Sequence, residues 1–162
     1  MRLLWLGLLV GCCLLGCGSS GSHAPAMAES SEPLVTARYV PGFFGSSWEI
    51  RVFDAGVVEL ATERQNHRRS RLSKQLLEKL KEAMRSVRFF ELDSEHMAPT
   101  DDSQQYSLSV GFHGKHHAVR VWGPEQLCHD PQVERFLELW SLVVDVTRFR
   151  VACNLGDCQP CG

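Results

Sequence analysis

Cysteines and histidines in the second half of the chain are the residue types best able to do chemistry. Cys153, Cys158 and Cys161 follow the pattern Cys-x4-Cys-x2-Cys, and Cys128 lies upstream. Thiolates bind soft metals or pair as disulfides. The pattern has the spacing of three ligands of a plant-type iron–sulfur cluster, but the fourth cysteine of that arrangement lies downstream, where Cys128 does not. His113 and His116 flank the Gly114-Lys115 turn, which places them to face each other across a hairpin end, and His129 stands beside Cys128. Neutral imidazole is the commonest metal ligand, so His113, His116 and His129 are the candidates for a transition-metal site. His116 and His117 point to opposite faces of a strand and do not share one site. Neither His-Glu-x-x-His nor the zinc-finger spacing occurs. The preferred reading is therefore an exposed hairpin tip, with no metal and no cofactor.

Catalytic signatures are missing as well. The sequence has no Gly-x-Ser-x-Gly elbow, phosphate-binding loop or dinucleotide fingerprint. Cys128 and His129 adjoin in the chain, whereas a catalytic pair must adjoin in space. No catalytic residue is assigned. A hydrolase with an unrecognised site is the further alternative, and it predicts a deep polar pocket near the Gly45–Trp48 turn. Gly42-Phe43-Phe44-Gly45-Ser46-Ser47-Trp48 is the most unusual stretch. Phe43, Phe44 and Trp48 form a candidate recognition loop, the alternative being rings folded back over a sheet edge. Arg64, His67, Arg68, Arg69, Arg71 and Lys74 make a basic run that reads as a solvated loop, with attraction to anionic headgroups or cell-wall polymers as the other reading. Asp101 and Asp102 with Asp93 and Glu95 lack EF-hand spacing and read as an acidic loop. A formal net charge of −2 argues against a nucleic-acid partner.

The N-terminal residues bear on location. Met1-Arg2 precedes the apolar run Leu3 to Leu15, which ends in Leu14-Leu15-Gly16-Cys17. The order resembles the lipobox of bacterial lipoproteins, which implies removal of 1–16 and lipidation of Cys17. Leu9-Val10-Gly11-Cys12 also fits, but leaves an apolar region of roughly eight residues, at the short end of the range. An ordinary secretory signal is the other alternative. The apolar run is too short to span a bilayer, which takes ~20 residues. Residues 17–33 are rich in Gly, Ser, Ala and Pro and read as a flexible tether. The resemblance places the protein in the cell envelope, held to the membrane by acyl chains. Gly18 after the lipidated cysteine favours the outer membrane facing the periplasm in a cell that has one.

With Cys12 and Cys13 removed and Cys17 acylated, Cys128, Cys153, Cys158 and Cys161 remain. An even number in an exported chain predicts two disulfides of open connectivity. The leading expectation is a non-enzymatic interaction or envelope module with an unknown envelope-protein or cell-wall partner. The alternative is a metal- or redox-binding envelope protein that uses the C-terminal cysteines and the histidine hairpin.

The elements that must carry these residues follow from periodicity. Leu34 to Val40 reads as a strand ended by Pro41-Gly42. Trp48, Ile50 and Val52 alternate with polar neighbours, Asp54-Ala55-Gly56 turns the chain, and Val57 to Ala61 returns. Residues 63–71 read as a loop. Ser73 N-caps a helix whose apolar stripe runs through Leu72, Leu76, Leu77, Leu80, Met84 and Val87. Phe89-Phe90-Glu91-Leu92 closes it, and residues 95–105 read as a second loop. Tyr106 to Phe112 and a return through Val119 and Val121 form a hairpin. Asp130-Pro131 opens a second helix containing Phe136, Leu137 and Trp140. The pattern predicts an α+β domain over 34–150, with an antiparallel sheet of four or five strands and two helices packed on one face. A cysteine-rich tail follows at 151–162.

Asp54-Ala55-Gly56-Val57-Val58, Leu72-Ser73, Phe89-Phe90-Glu91-Leu92, Thr100-Asp101, Leu108-Ser109-Val110 and the helix begun by Pro131 together resemble a small domain family of unknown function found in exported bacterial proteins. The likeness covers nearly the whole domain. Members often carry a Cys-x-Gly-x-Cys-Pro turn before the first hairpin, and the stretch Gly42 to Trp48 has no cysteine. The resemblance implies the fold and no activity.

Overall fold

One-sided alternation builds the first three strands, Val35–Val40 (β1), Trp48–Val52 (β2) and Val57–Thr62 (β3). The computed structural model describes residues 32–63, 67–99, 103–127 and 129–147. The expectations for Cys17, the tether up to residue 31, Arg64, Thr100 to Asp102, Cys128 and the tail with Cys153, Cys158 and Cys161 lie outside the described residues. Between β2 and β3 the chain turns through Gly56 at φ +77°. Only glycine takes that angle without steric cost. Phe53 N–H donates to Val57 O and Leu72 N–H to Gly56 O, each at 2.8 Å.

Helix α1 spans Lys74–Ser86, with the Ser73 hydroxyl accepting from Leu76 N–H at 3.3 Å. A 3-10 turn follows at Phe89–Glu91. Helix α2 spans Pro131–Thr147. Asp130 holds its first turn: the side chain accepts from Gln132 N–H at 2.8 Å and the backbone carbonyl from Glu134 N–H at 2.9 Å.

The fold is α+β, but the sheet is larger than four or five strands and is not wholly antiparallel. Arg68–Arg71 (β4), Glu95–Met97 (β5), Gln105–Phe112 (β6) and Lys115–Trp122 (β7) complete a seven-stranded sheet of order β4-β3-β2-β1-β6-β7-β5. Residues 63–71 and 95–105 are thus not loops throughout. β4 is exposed at all four positions and β5 is three residues long, so neither carries an apolar period. Both exist because a neighbouring strand offers an unpaired edge. β5 runs parallel to β7. That is compatible with short antiparallel turns elsewhere, because β6 intervenes in the chain between the two.

The registers put Val35, Ala37, Ile50, Val52, Leu108 and Val119 on one face of the sheet. These side chains share a single core with Leu80 and Met84 of α1 and with Phe136, Leu139 and Val143 of α2. The opposite face carries Thr36, Arg38, Glu49, Arg51, Glu59, Ser107, Ser109 and Arg120, by the same registers. At the middle of the core, Trp140 of α2 meets Tyr106 edge-on at 4.8 Å between ring centroids. It also meets Trp48 at 5.4 Å and Phe136 at 6.1 Å. Tyr39 joins Trp48 and Tyr106 at 5.7 and 5.4 Å. Among the described residues no helix is long and apolar enough to cross a membrane.

Trp140→Ala is expected to lower the unfolding free energy by about 3–5 kcal/mol, the range for deleting a large buried ring. Equilibrium urea unfolding followed by far-UV circular dichroism checks this; a loss under 1.5 kcal/mol, about half the lower bound, would show that the cluster collapses around the gap.

Candidate functional site

Three places in the fold hold the candidate side chains, and the β6–β7 hairpin tip is the richest. β6 and β7 are joined by a two-residue turn in which His113 has φ +52° and Gly114 φ +73°. Positive φ at both central residues is the geometry that matches the twist of a tight hairpin. Gly111 pairs with His116 across the hairpin. A Cβ on Gly111 would lie 2.8 Å from the His116 ring, so the glycine is what lets that ring lie across β6. His116 Nε2 then stands 3.6 Å from a Glu32 carboxylate oxygen.

His113 and His116 line one polar cavity of about 380 Å³ with Glu32, Asp54 and Lys81. Lys81 Nζ lies 2.7 Å from Asp54 Oδ1 and 3.5 Å from Glu78 Oε1. The Asp54 hydrogen bond raises the Lys81 pKa above its ordinary value of 10.5, against a smaller opposing effect of burial.

The other histidines are dispersed. His117 faces the core side, its Nε2 2.8 Å from Leu92 O and its ring against Phe89 and Phe90. His129 precedes α2, at the far end of β7 from the turn. His96 and Asp130 mark that end, level with Val121, and the six steps from Lys115 to Val121 span about 20 Å. The structure therefore brings His113 and His116 together and leaves His129 apart. Among the described residues no group of three His, Cys, Asp or Glu side chains is placed to hold a metal ion.

The loop between β1 and β2 is the second place. Phe43 is 73% exposed and Phe44 93%, with ring centroids 6.3 Å apart. Trp48 does not join them: it is buried at the start of β2, stacked on Tyr39. The recess beside this turn is an open dish on the polar sheet face, lined by Arg38, Ser47, Glu49 and Arg51 among others. Of the basic run, Arg68, Arg69 and Arg71 lie in edge strand β4, where Arg69 pairs with Glu59 at 3.6 Å and Arg71 donates to Ala55 O at 3.4 Å.

The third place is one that sequence reasoning missed. His96 on β5 is buried, and its Nδ1 lies 3.3 Å from Asp130 Oδ2. Its Nε2 is buried with no hydrogen-bond partner. A three-residue strand has no period to flag it, and Asp130-Pro131 signals a helix start without indicating that the free carboxylate oxygen reaches another strand. No known protein-family model matches the chain, and no curated protein sequence matches it.

Two outcomes are expected. Lys81, with a raised folded-state pKa, stabilises the fold fully below pH 10.5, and the contribution is lost as pH rises through the folded value. Lys81→Met should therefore unfold more easily than the parent at pH 8, and the difference should shrink as pH climbs beyond 10.5. Thermal melts across that range check the sign. Asp130→Ala removes an N-cap and the His96 pairing together. It should cost about 1–3 kcal/mol in urea unfolding, more than Asp130→Asn, which keeps a capping oxygen.

Proposed function

We propose that this chain is a lipid-anchored lipoprotein of the bacterial cell envelope whose folded domain is a non-enzymatic interaction module. The observation that carries the module reading is the Phe43–Phe44 pair. These rings and Met97 are the large apolar side chains exposed among the described residues. Two adjacent phenyl rings in water forfeit burial that the fold could otherwise have provided, and contact sites retain such exposure. The anchor reading rests on Leu14-Leu15-Gly16-Cys17 and the Gly/Ser-rich stretch behind it. Two or more acyl chains on Cys17 suffice for stable attachment, at ~0.8 kcal/mol per buried CH₂. Gly18 favours the outer membrane where one exists.

The direction of β1 supports a partner beyond the anchoring bilayer. Leu34, the residue before β1, accepts from Gly111 N–H at 2.9 Å, which places the start of the domain at the hairpin-tip end of the sheet. β1 then runs about 20 Å to the other end, where the phenylalanine loop follows. The loop thus stands at the opposite end of β1 from Leu34, where the domain begins. An envelope protein or a cell-wall polymer fits that placement. The resemblance to a domain family of exported proteins agrees with it and adds no activity.

Two measurements test the reading. The intact mass of the native protein, extracted from membranes without reductant, is expected to fit residues 17–162 plus acyl chains, less the hydrogens of two disulfides. Cys17→Ser should move the protein to the soluble fraction, and an unmodified mass or persistent membrane binding by that variant would remove the anchor reading. A photo-cross-linking residue at position 44 should capture an envelope component in cells, and the same residue at position 82 on exposed α1 should not. Equal yields from both positions would remove the loop from the proposal.

A further inference from the structure

A second cavity, of about 330 Å³, lies between the end of α1 and the hairpin tip, sharing Phe112 and His113 with the polar one as a common wall. Its floor is apolar: the half-buried rings of Phe90 and Phe112 meet the space, with Met84 and Phe89 buried beneath them. Phe89 and Phe90 meet edge-on at 85° with centroids 6.2 Å apart, Phe89 buried and Phe90 half-buried beside it. Its rim is cationic, with Arg85, Arg88 and Lys115. The Arg85 guanidinium lies 5.8 Å from the Phe112 ring centroid and is steadied by Glu82 at 2.7 Å. Arg88 pairs with Glu91 at 2.6 Å. Three cations against two carboxylates leave a positive charge at the mouth.

The backbone supplies an independent observation. Arg88 and His113 are the two non-glycine residues with positive φ among the described residues, at 53° and 52°, and both line this cavity. Each site has a local reason for the left-handed conformation. Arg88 follows the C-cap of α1, and His113 begins the two-residue hairpin turn. Glycine satisfies both positions without strain, and asparagine nearly so. The chain instead spends backbone strain at both points, and the residues it keeps there are a guanidinium and an imidazole at one mouth. Strain of this kind persists where a site needs the side chain more than the fold needs the relief.

We propose that this cavity binds a small aryl carboxylate. The flat ring lies between the half-buried rings of Phe90 and Phe112, over the buried Phe89, where offset and edge-to-face contacts with those two rings are available. The carboxylate sits among Arg85, Arg88 and Lys115, and accepts charge-assisted hydrogen bonds from the guanidinium groups. The volume is at the lower end of the ~300–1,000 Å³ range of small-molecule sites. This site is at the opposite end of β1 from the phenylalanine loop, and it stands or falls separately from the anchor and the loop.

The test uses naphthalene-2-carboxylate as the probe, titrated into the full chain and followed by two-dimensional amide NMR. Saturable shifts centred on Phe112, His113 and Arg88 are expected. The neutral isostere 2-naphthamide should bind at least about tenfold more weakly, because it lacks the charge that the rim complements. Arg88→Gly should weaken the acid by a similar factor while its thermal midpoint stays level or rises, since glycine relieves the left-handed strain. A residue that served only to end the helix would give the opposite pattern, with binding kept. Lys115→Met, on the exposed rim, gives a second reading that does not touch a strained position and should weaken binding several-fold. The proposal is overturned if no saturable shift appears, if the shifts centre on Phe43 and Phe44, if the amide binds as well as the acid, or if both variants bind like the parent.

Discussion

Everything in this domain hangs on burying one face of a sheet whose other face is polar and, among the described residues, uncovered by either helix. Tyr39, Trp48 and Tyr106 come from three adjacent strands, β1, β2 and β6, and Trp140 of α2 settles against the last two. The contact spans the boundary between the N-terminal meander and the C-terminal hairpin, so one helix side chain sets the position of both halves. Trp140 is nearly fully buried, and large aromatic side chains dominate core energetics through their area. The two ends of the sheet then become surfaces whose side chains are free to differ: one carries the phenylalanine loop, the other the hairpin tip with its two cavities.

Much of the architecture is legible from the residues. Alternation at Trp48, Ile50 and Val52, the Asp54-Ala55-Gly56 turn, the Ser73 cap and the Asp130-Pro131 start each have a local physical cause, and each appears where that cause places it. What is not legible is pairing that one strand induces in another. Arg68 to Arg71 has no buried face at all, so nothing in its composition separates it from a solvated loop. Its strand character comes from β3 alone. Glu95 to Met97 likewise becomes a strand because β7 has an edge to offer.

The same distinction runs through the candidate sites. The hairpin tip could be read as a place where His113 and His116 meet, because a tight turn brings its flanks together. Trp48 closes the same loop as Phe43 and Phe44, but its alternation with Ile50 and Val52 already assigns it to the buried face of β2. The strand alternation that begins at Trp48 is what draws it inward. Phe89 and Phe90 signal a helix end, and the further part of Phe90 in the floor of a cavity depends on a hairpin tip that is distant in sequence. His96 and Asp130 meet through β5, the strand with the weakest sequence signal, and so left no trace.

The position of β1 has a consequence for the order in which the molecule can assemble. It is the first strand of the fold, yet it sits at the centre of the sheet, and its second neighbour is β6. The strands β1 to β4 can form from nearby chain, but the pairing of Val35 with Val110 requires closure of a long loop, and such non-local closure slows folding. Until β6 arrives, β1 keeps an edge of unpaired backbone N–H and C=O groups and no completed core exists to hold the chain compact. A chain emerging N-terminus first, as from a ribosome, would therefore stay pliable until most of the domain had appeared, and the seam between β1 and β6 would time its collapse.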